Sequence, residues 1–254
     1  MMTQKQVLVS GCNGHMGQIL CRLIDQSENF NVQYAFDKTA WELPHYCVCT
    51  DLEDIEELGL PDIIIDFSAP EATMQVLDFA QKFKIPIVIA TTGFSEEENA
   101  KIINASNTIP VFQSANMSVE VCLVKNILKM IASKLDESDI EILETHHNRK
   151  KDAPSGTALL LANAIKECFP EGEKKIIYGR DGKREKDEIG ISALRGGNVV
   201  GEHSVYFYGK YETLEIKHSA ISRDLFAEGA LKAAEFLLER TEPGFYTMDD
   251  LISM

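Results

Sequence analysis

The chain has 254 residues, 44% of them hydrophobic, enough to bury one large core or two smaller ones. Its formal net charge of −15 repels phosphate backbones and acidic membrane faces, which argues against nucleic acid as a main partner and requires any anion site to be built locally. No stretch approaches the roughly 18 apolar residues of a membrane span and none resembles a signal peptide, so a cytoplasmic enzyme with no membrane partner is expected.

Strand-like runs at 6–10, 32–36, 62–67, 85–90 and 109–112 alternate with amphipathic, helix-like stretches. Runs such as Ile63-Ile64-Ile65 lack in-and-out alternation, as strands buried on both faces do. The first half therefore reads as α/β, a Rossmann-like doubly wound parallel sheet. The six cysteines, at 12, 21, 47, 49, 122 and 168, form no C-x-x-C pair and fit reduced thiols. Cys47 and Cys49 lack two further ligands at metal spacing and read as ordinary strand side chains, so no metal is expected.

Between the first strand and the first helix lies Gly11-Cys12-Asn13-Gly14-His15-Met16-Gly17. Glycine permits a tight turn and close backbone approach, and the unpaired amides of a helix start can hold a pyrophosphate. The next strand-like run ends in Asp37, where a carboxylate accepts from adenosine ribose hydroxyls. Asp37 alone favours NAD by repelling a 2′-phosphate, whereas Lys38 beside it can attract that phosphate, so the pair predicts relaxed choice between NADH and NADPH. The loops Ala90-Thr91-Thr92-Gly93 and Ser114-Ala115-Asn116-Met117 follow two further strands, and ligands bind at the carboxyl ends of parallel strands.

After Asn116 the pattern changes to a smaller α+β unit: a helix over 119–134, a strand over 139–145, a helix from about Gly156, then strands at 189–194, 202–208 and 213–218. Such a succession of strands favours antiparallel pairing. The charged stretch 171–188 reads as a solvated connection. A last helix, over 225–238, has one buried face.

The segment 144–158, E-T-H-H-N-R-K-K-D-A-P-S-G-T-A, concentrates two histidines and three cations in six positions of an acidic chain. That local positive field suits a carboxylate substrate. Ser155, Gly156 and Thr157 open a helix whose amides and hydroxyls can bind an anion, although Ser155 also reads as a plain helix cap. Hydride delivery to an electron-poor carbon leaves a charge that needs a proton or a cation, which makes His146 and Lys150 the candidate catalytic groups.

H-H-N-R-K-K-D-A-P-S-G-T-A closely resembles the H-H-x-x-K-x-D-A-P-S-G-T-A motif of the bacterial 4-hydroxy-tetrahydrodipicolinate reductase family. The resemblance extends to Met16-Gly17, Asp66-Phe67-Ser68, Thr91-Thr92-Gly93-Phe94, Asn116-Met117-Ser118-Val119 and Gly201-Glu202-His203. It implies reduction of a cyclic imine dicarboxylate by NADH or NADPH in lysine and diaminopimelate biosynthesis. It further implies His146 as proton donor, Lys150 as second catalytic group, and His147, Ser155, Gly156 and Thr157 as substrate contacts. Cofactor contacts are implied at Gly11, Cys12, Asn13, Gly14, His15, Met16, Asp37, Lys38, Ala90, Thr91, Thr92, Ser114, Ala115, Asn116 and Met117. A dinucleotide domain over 1–116, a substrate and oligomerisation domain over 117–223, a C-terminal segment 224–254 returning to the first domain, and a homotetramer joined through second-domain sheets are implied as well. His15 stands where the family usually has Arg or Lys, Ala90 where Gly is common, and Glu120 where Gly is frequent. An imidazole supplies less charge at pH 7 than a guanidinium, so NADH is expected to serve at least as well as NADPH.

Three other readings compete. A short-chain dehydrogenase needs Tyr-x-x-x-Lys on a helix, whereas Tyr34/Lys38 and Tyr206/Lys210 lie around strand-like runs. A cofactor-sensing binding protein has no use for His146 and Lys150 together. A dehydrogenase of another imino or amino acid is separated only by the length of the catalytic motif.

Overall fold

The protein is described by a computed structural model that covers residues 4–39, 46–240 and 242–253. In chain order the first elements are β1 (Lys5–Ser10), α1 (His15–Asp25), β2 (Phe30–Phe36), β3 (Cys47–Cys49), α2 (Glu53–Leu58), β4 (Ile63–Asp66), α3 (Pro70–Phe83), β5 (Ile87–Ile89), α4 (Glu96–Ala105) and β6 (Pro110–Gln113). There follow α5 (Val119–Ala132), β7 (Asp139–His146), α6 (Gly156–Lys166), β8 (Lys175–Tyr178), β9 (Glu188–Arg195), β10 (Gly201–Tyr208) and β11 (Thr213–Ala220). The chain ends with α7 (Asp224–Leu238), β12 (Gly244–Tyr246) and α8 (Met248–Ile252). Two compact units result, Met1–Ser118 with Arg223–Met254, and Val119–Ser222.

The first unit is built on a seven-stranded sheet of order β12-β6-β5-β4-β1-β2-β3, with every pairing parallel. This is the Rossmann-like α/β class expected from the unbroken apolar runs. Leu8, Ile64, Ile87 and Ile89 share one core with Val76 and Leu77 of α3 and Ile102 of α4. On α7, Phe236 meets Phe112 edge-on, with ring centroids 6.0 Å apart. The chain runs outward from β1 through β2 and β3, then returns to place β4 on the other side of β1. That reversal is a topological switch point, where ligands of open α/β sheets bind beyond the strand ends.

The second unit carries a mixed sheet of order β11-β10-β7-β9-β8. Strand β10 is antiparallel to both β11 and β7, as the run of strands suggested, but β9 is parallel to β7 and to β8. The parallel pairing of β9 with β7 follows from the crossover through α6 that separates them in the chain. Helices α5 and α6 cover one face, where Leu128, Leu161 and Ile165 pack on Ile140, Ile142, Ile189, Val205 and Phe207.

The stretch 171–188 is not a solvated connection. It contains β8, and Arg180 and Arg184 reach back to the sheet, Arg180 to Glu141 at 2.5 Å and Glu188 at 2.8 Å, Arg184 to Asp139 at 2.8 Å. Its charges are paired across strands, so charge density alone misleads there. Among the described residues no helix is long and apolar enough to cross a membrane.

Candidate active site

The glycine turn follows β1 directly. Gly11 has φ +80°, and a Cβ there would stand 2.5 Å from the Phe67 carbonyl oxygen. Only glycine fits both the left-handed backbone and the close passage of the loop after β4. A Cβ on Gly17 would lie 2.1 Å from the Gly11 carbonyl oxygen, so this third glycine lets α1 start against the turn. The amides of Gly11 and Cys12 point to Phe36 O, and that of Gly14 to Gly11 O. The Asn13 amide donates to Asp37 Oδ2 at 3.1 Å. Buried Cys12 shapes the turn from inside. The amides of His15 and Met16 belong to the first turn of α1, which has no side-chain cap and no acidic residue. An uncapped helix start beside close-packed glycines, with Asp37 at the end of the neighbouring strand, fits a dinucleotide pyrophosphate and ribose.

Other candidate cofactor residues gather at the same sheet edge. Asp66, fully buried at the end of β4, accepts from Ser68 Oγ at 2.5 Å, Thr73 Oγ1 at 2.6 Å and Thr91 Oγ1 at 2.7 Å. Thr91 is thereby fixed at the end of β5, with Ala90 held through its amide on Asp66 O and Thr92 exposed beside it. After β6, Ser114 Oγ donates to Asn116 O at 2.7 Å, Ala115 is exposed, and Met117 is buried. A Cβ on Gly229 of α7 would lie 1.7 Å from Met117 O, so that glycine seats the loop. Lys38 and His15 are exposed.

In the second unit, alternation along β7 turns Ile140 and Ile142 into the core, and the same face carries Glu144 and His146 at the strand's end. Glu144 is fully buried. Its Oε2 lies 2.6 Å from His146 Nδ1, and it is gripped by both terminal nitrogens of Arg195 at 2.7 Å. The Ser155 amide adds a fourth donor at 3.0 Å. Burial by itself pushes the Glu144 carboxyl up, but the bonds from Arg195, His146 and Ser155 outweigh it and hold it below the usual carboxylate range. Burial likewise depresses His146, reinforced by Lys150 and Arg195 and opposed by Glu144.

The loop after β7 carries the rest of the motif. The His147 amide donates to Val199 O at 2.8 Å and that of Lys150 to His147 O at 3.1 Å. Lys150 Nζ pairs with Asp152 at 2.9 Å. Ser155 is the N-cap of α6, its Oγ accepting from the Ala158 amide at 3.2 Å and lying 3.0 Å from His203 Nε2. Ser155 is thus engaged inside the protein on all these atoms, while Gly156 is exposed with open space beside it. The ring of His203, on β10, stands edge-on to His146 with centroids 5.1 Å apart.

Sequence reasoning did not single out Glu144, Arg195 or His203 as site residues. For Glu144 a signal existed, since it shares its parity with Ile140 and Ile142 in a strand-like run. Arg195 and His203 come into place through strand register, with His146 opposite Arg195 and Glu144 opposite His203, which spacing along the chain does not reveal.

Comparison with known proteins bears on the whole chain. The family described as dihydrodipicolinate reductase, N-terminus, matches residues 5–117, and that described as dihydrodipicolinate reductase, C-terminus, matches residues 120–252. A 4-hydroxy-tetrahydrodipicolinate reductase of Caldanaerobacter subterraneus subsp. tengcongensis is 47% identical over 97% of this chain and 98% of the relative. One from Clostridium novyi is 46% identical with the same coverage. In fold, the chain is similar to a dipicolinate-bound dihydrodipicolinate reductase from Paenisporosarcina sp. TG-14, with a TM-score of 0.81 at 22% identity over 96% of this chain and 98% of that one.

Proposed function

This chain belongs to the dihydrodipicolinate reductase family, and on that premise we propose how its residues carry out the work of a 4-hydroxy-tetrahydrodipicolinate reductase. The reaction is the reduction, by NADH or NADPH, of the cyclic imine dicarboxylate formed when 4-hydroxy-tetrahydrodipicolinate loses water, giving tetrahydrodipicolinate in lysine and diaminopimelate biosynthesis. When bound, the reduced nicotinamide supplies the hydride. The protein supplies a proton, fixes a substrate carboxylate and keeps the reacting groups oriented.

His146 is the proton donor. Burial disfavours its charged form in the free protein, and a bound dianion reverses that by favouring the imidazolium. Substrate binding therefore favours protonation of the group that is to give the proton up. Lys150, held by Asp152, places a fixed positive charge beside the developing negative one. His147 and the N-terminal end of α6 at Gly156 and Thr157 hold a substrate carboxylate, with Ser155 as the cap of that helix end.

The dinucleotide would be held by 11–16, Asp37, Lys38, 90–92 and 114–117, in a domain formed by 1–116 and 224–254. Residues 117–223 form the substrate and oligomerisation domain. A homotetramer is supported by the sheet face opposite α5 and α6, where Tyr206 and Tyr208 stack at 5.5 Å and Leu194 is 53% exposed. Cytoplasmic residence is supported by free thiols at Cys12, Cys21, Cys49, Cys122 and Cys168.

The observation that carries the assignment of roles is the grouping, in one unit, of a carboxylate-bound His146, the Lys150 cation that acts on it, and an uncrowded helix start at Gly156. The test couples the purified protein to a synthase that condenses pyruvate with aspartate semialdehyde and follows reduced nicotinamide absorbance. Decay that requires both the synthase and this chain is expected; absence of decay with an active synthase rejects the function.

A further inference from the structure

Glu144 lies outside the H-H-x-x-K motif, yet it is the most fully engaged side chain of the site. It has no exposure, and four donors converge on its two oxygens: His146 Nδ1 and one Arg195 nitrogen on Oε2, the other Arg195 nitrogen and the Ser155 amide on Oε1. Taking a carboxylate out of water is costly unless it is paired and fully hydrogen-bonded. Packing alone does not call for one here, since the face of β7 that carries Glu144 is apolar at Ile140 and Ile142. A leucine would extend that core without the cost.

The arrangement discriminates between the two ring nitrogens of His146. Nδ1 faces an ionised carboxylate, which accepts and cannot donate, so Nδ1 carries a hydrogen. On the other side of the ring lies Gly201, opened by the absence of a side chain: a Cβ there would stand 2.9 Å from Nε2. Arg195 sits opposite His146 in the β7–β9 register, and it also ties Asp152 O at 2.7 Å, so one guanidinium fixes the carboxylate and the loop that carries Lys150.

We propose that Glu144, clamped by Arg195, is a positioning residue for the reduction: it holds His146 with its hydrogen on Nδ1, directs Nε2 to the substrate, and supports the imidazolium that gives up its Nε2 proton. The role rests on the reductase reading for its reaction, though not for its geometry. In the forward direction the Nε2 proton passes to the reduced ring system, neutral His146 keeps its Nδ1–H on Glu144, and Glu144 stays ionised throughout. Solvent returns the proton to Nε2.

The charges facing His146 are Glu144 on its own strand, Lys150 and Asp152 on the following loop, Arg195 on β9 and His203 on β10, with His218 of β11 opposite His203. Replacing the anion of Glu144 by an amide leaves the cations unopposed, which lowers the proton affinity of His146.

The experiment is nitrogen-15 NMR of histidine-labelled protein together with pH profiles of kcat, on wild type, Glu144→Gln and Arg195→Lys. Wild type should show His146 protonated on Nδ1 when neutral. Glu144→Gln should move the His146 titration, and the limb on which kcat falls with rising pH, to lower pH. It should also reduce kcat by about tenfold or more while NADH binding is unchanged. Arg195→Lys keeps the cation but loses the fork, so it answers the question if Glu144→Gln fails to fold; it should lower kcat with a mixed His146 tautomer. A folded Glu144→Gln or Arg195→Lys protein with an unaltered His146 tautomer and titration would overturn the role. Wild type that shows the expected tautomer but no reductase turnover would instead defeat the reductase reading, and with it the use made of Glu144.

Discussion

The Nδ1 atom of His146 lies 2.6 Å from Oε2 of Glu144, a carboxylate with no solvent exposure two residues earlier on the same strand. Two residues is one pleat period, so both side chains leave β7 on the same face. The imidazole thereby inherits the rigidity of a sheet rather than the mobility of the loop that follows it.

That rigidity makes the other side of the ring sensitive to bulk. A methyl group at Gly201 would approach Nε2 to 2.9 Å and Cδ2 to 3.3 Å, and the ring cannot yield without leaving Glu144. Gly201→Ala should therefore cost about tenfold to hundredfold in kcat, with a stability loss of about 1–3 kcal/mol from overpacking. Steady-state kinetics with a thermal melt tests this; unchanged kcat would mean that Nε2 is not the reacting nitrogen.

On the proposed reading, cofactor choice is set by Asp37, Lys38 and His15. Asp37 already accepts from the Asn13 amide, which holds the carboxylate at the turn where a 2′-phosphate would be repelled. NADH should give a kcat/KM at least equal to that of NADPH, and Asp37→Ala should shift the ratio about fivefold to tenfold toward NADPH. Paired kinetics with both cofactors decides it, and a strong NADPH preference in wild type would contradict the reading.

Acid should destabilise the second unit through its buried histidine. Burial, together with His146 and against the opposing pull of Glu144, pushes the His203 pKa down to about 4 from the ordinary 6.5. Unfolded chains bind that proton near 6.5, so the contribution of neutral His203 is complete above 6.5 and is lost as pH falls to about 4. The loss is on the order of 3 kcal/mol. Glu144, held below 4.5, adds a loss of the same sign further into acid. Thermal melts should fall steeply over that window, and His203→Gln should flatten its upper part; parallel curves for the two proteins would refute the assignment.

Much of this was legible in the sequence, for reasons that can be traced to particular residues. The unbroken Ile63-Ile64-Ile65 run announced a parallel strand covered on both faces, and it is fully buried in β4. Strand β8 was not legible, because two isoleucines beside lysines carry little pattern until β9 pairs with them. Strand β12 has three residues, and its place beside β6 is a tertiary fact. The cluster from His146 to Thr157 stood out because cations are scarce in this chain and a helix begins there. Ser155 carried two meanings at once, anion contact and helix cap, and the structure shows the cap. Arg195, 49 positions beyond His146, becomes its neighbour only through the register of β7 with β9.

The central claim is that His146 and Lys150 act on the chemical step. The most direct measurement is kcat of wild type, His146→Ala and Lys150→Ala in the synthase-coupled assay, with NADH affinity determined on the same preparations. Each substitution should lower kcat by about 10²–10⁴-fold and leave NADH affinity within a few-fold of wild type. Turnover near the wild-type rate in either variant, or a loss matched by an equal loss of NADH binding, would contradict the account.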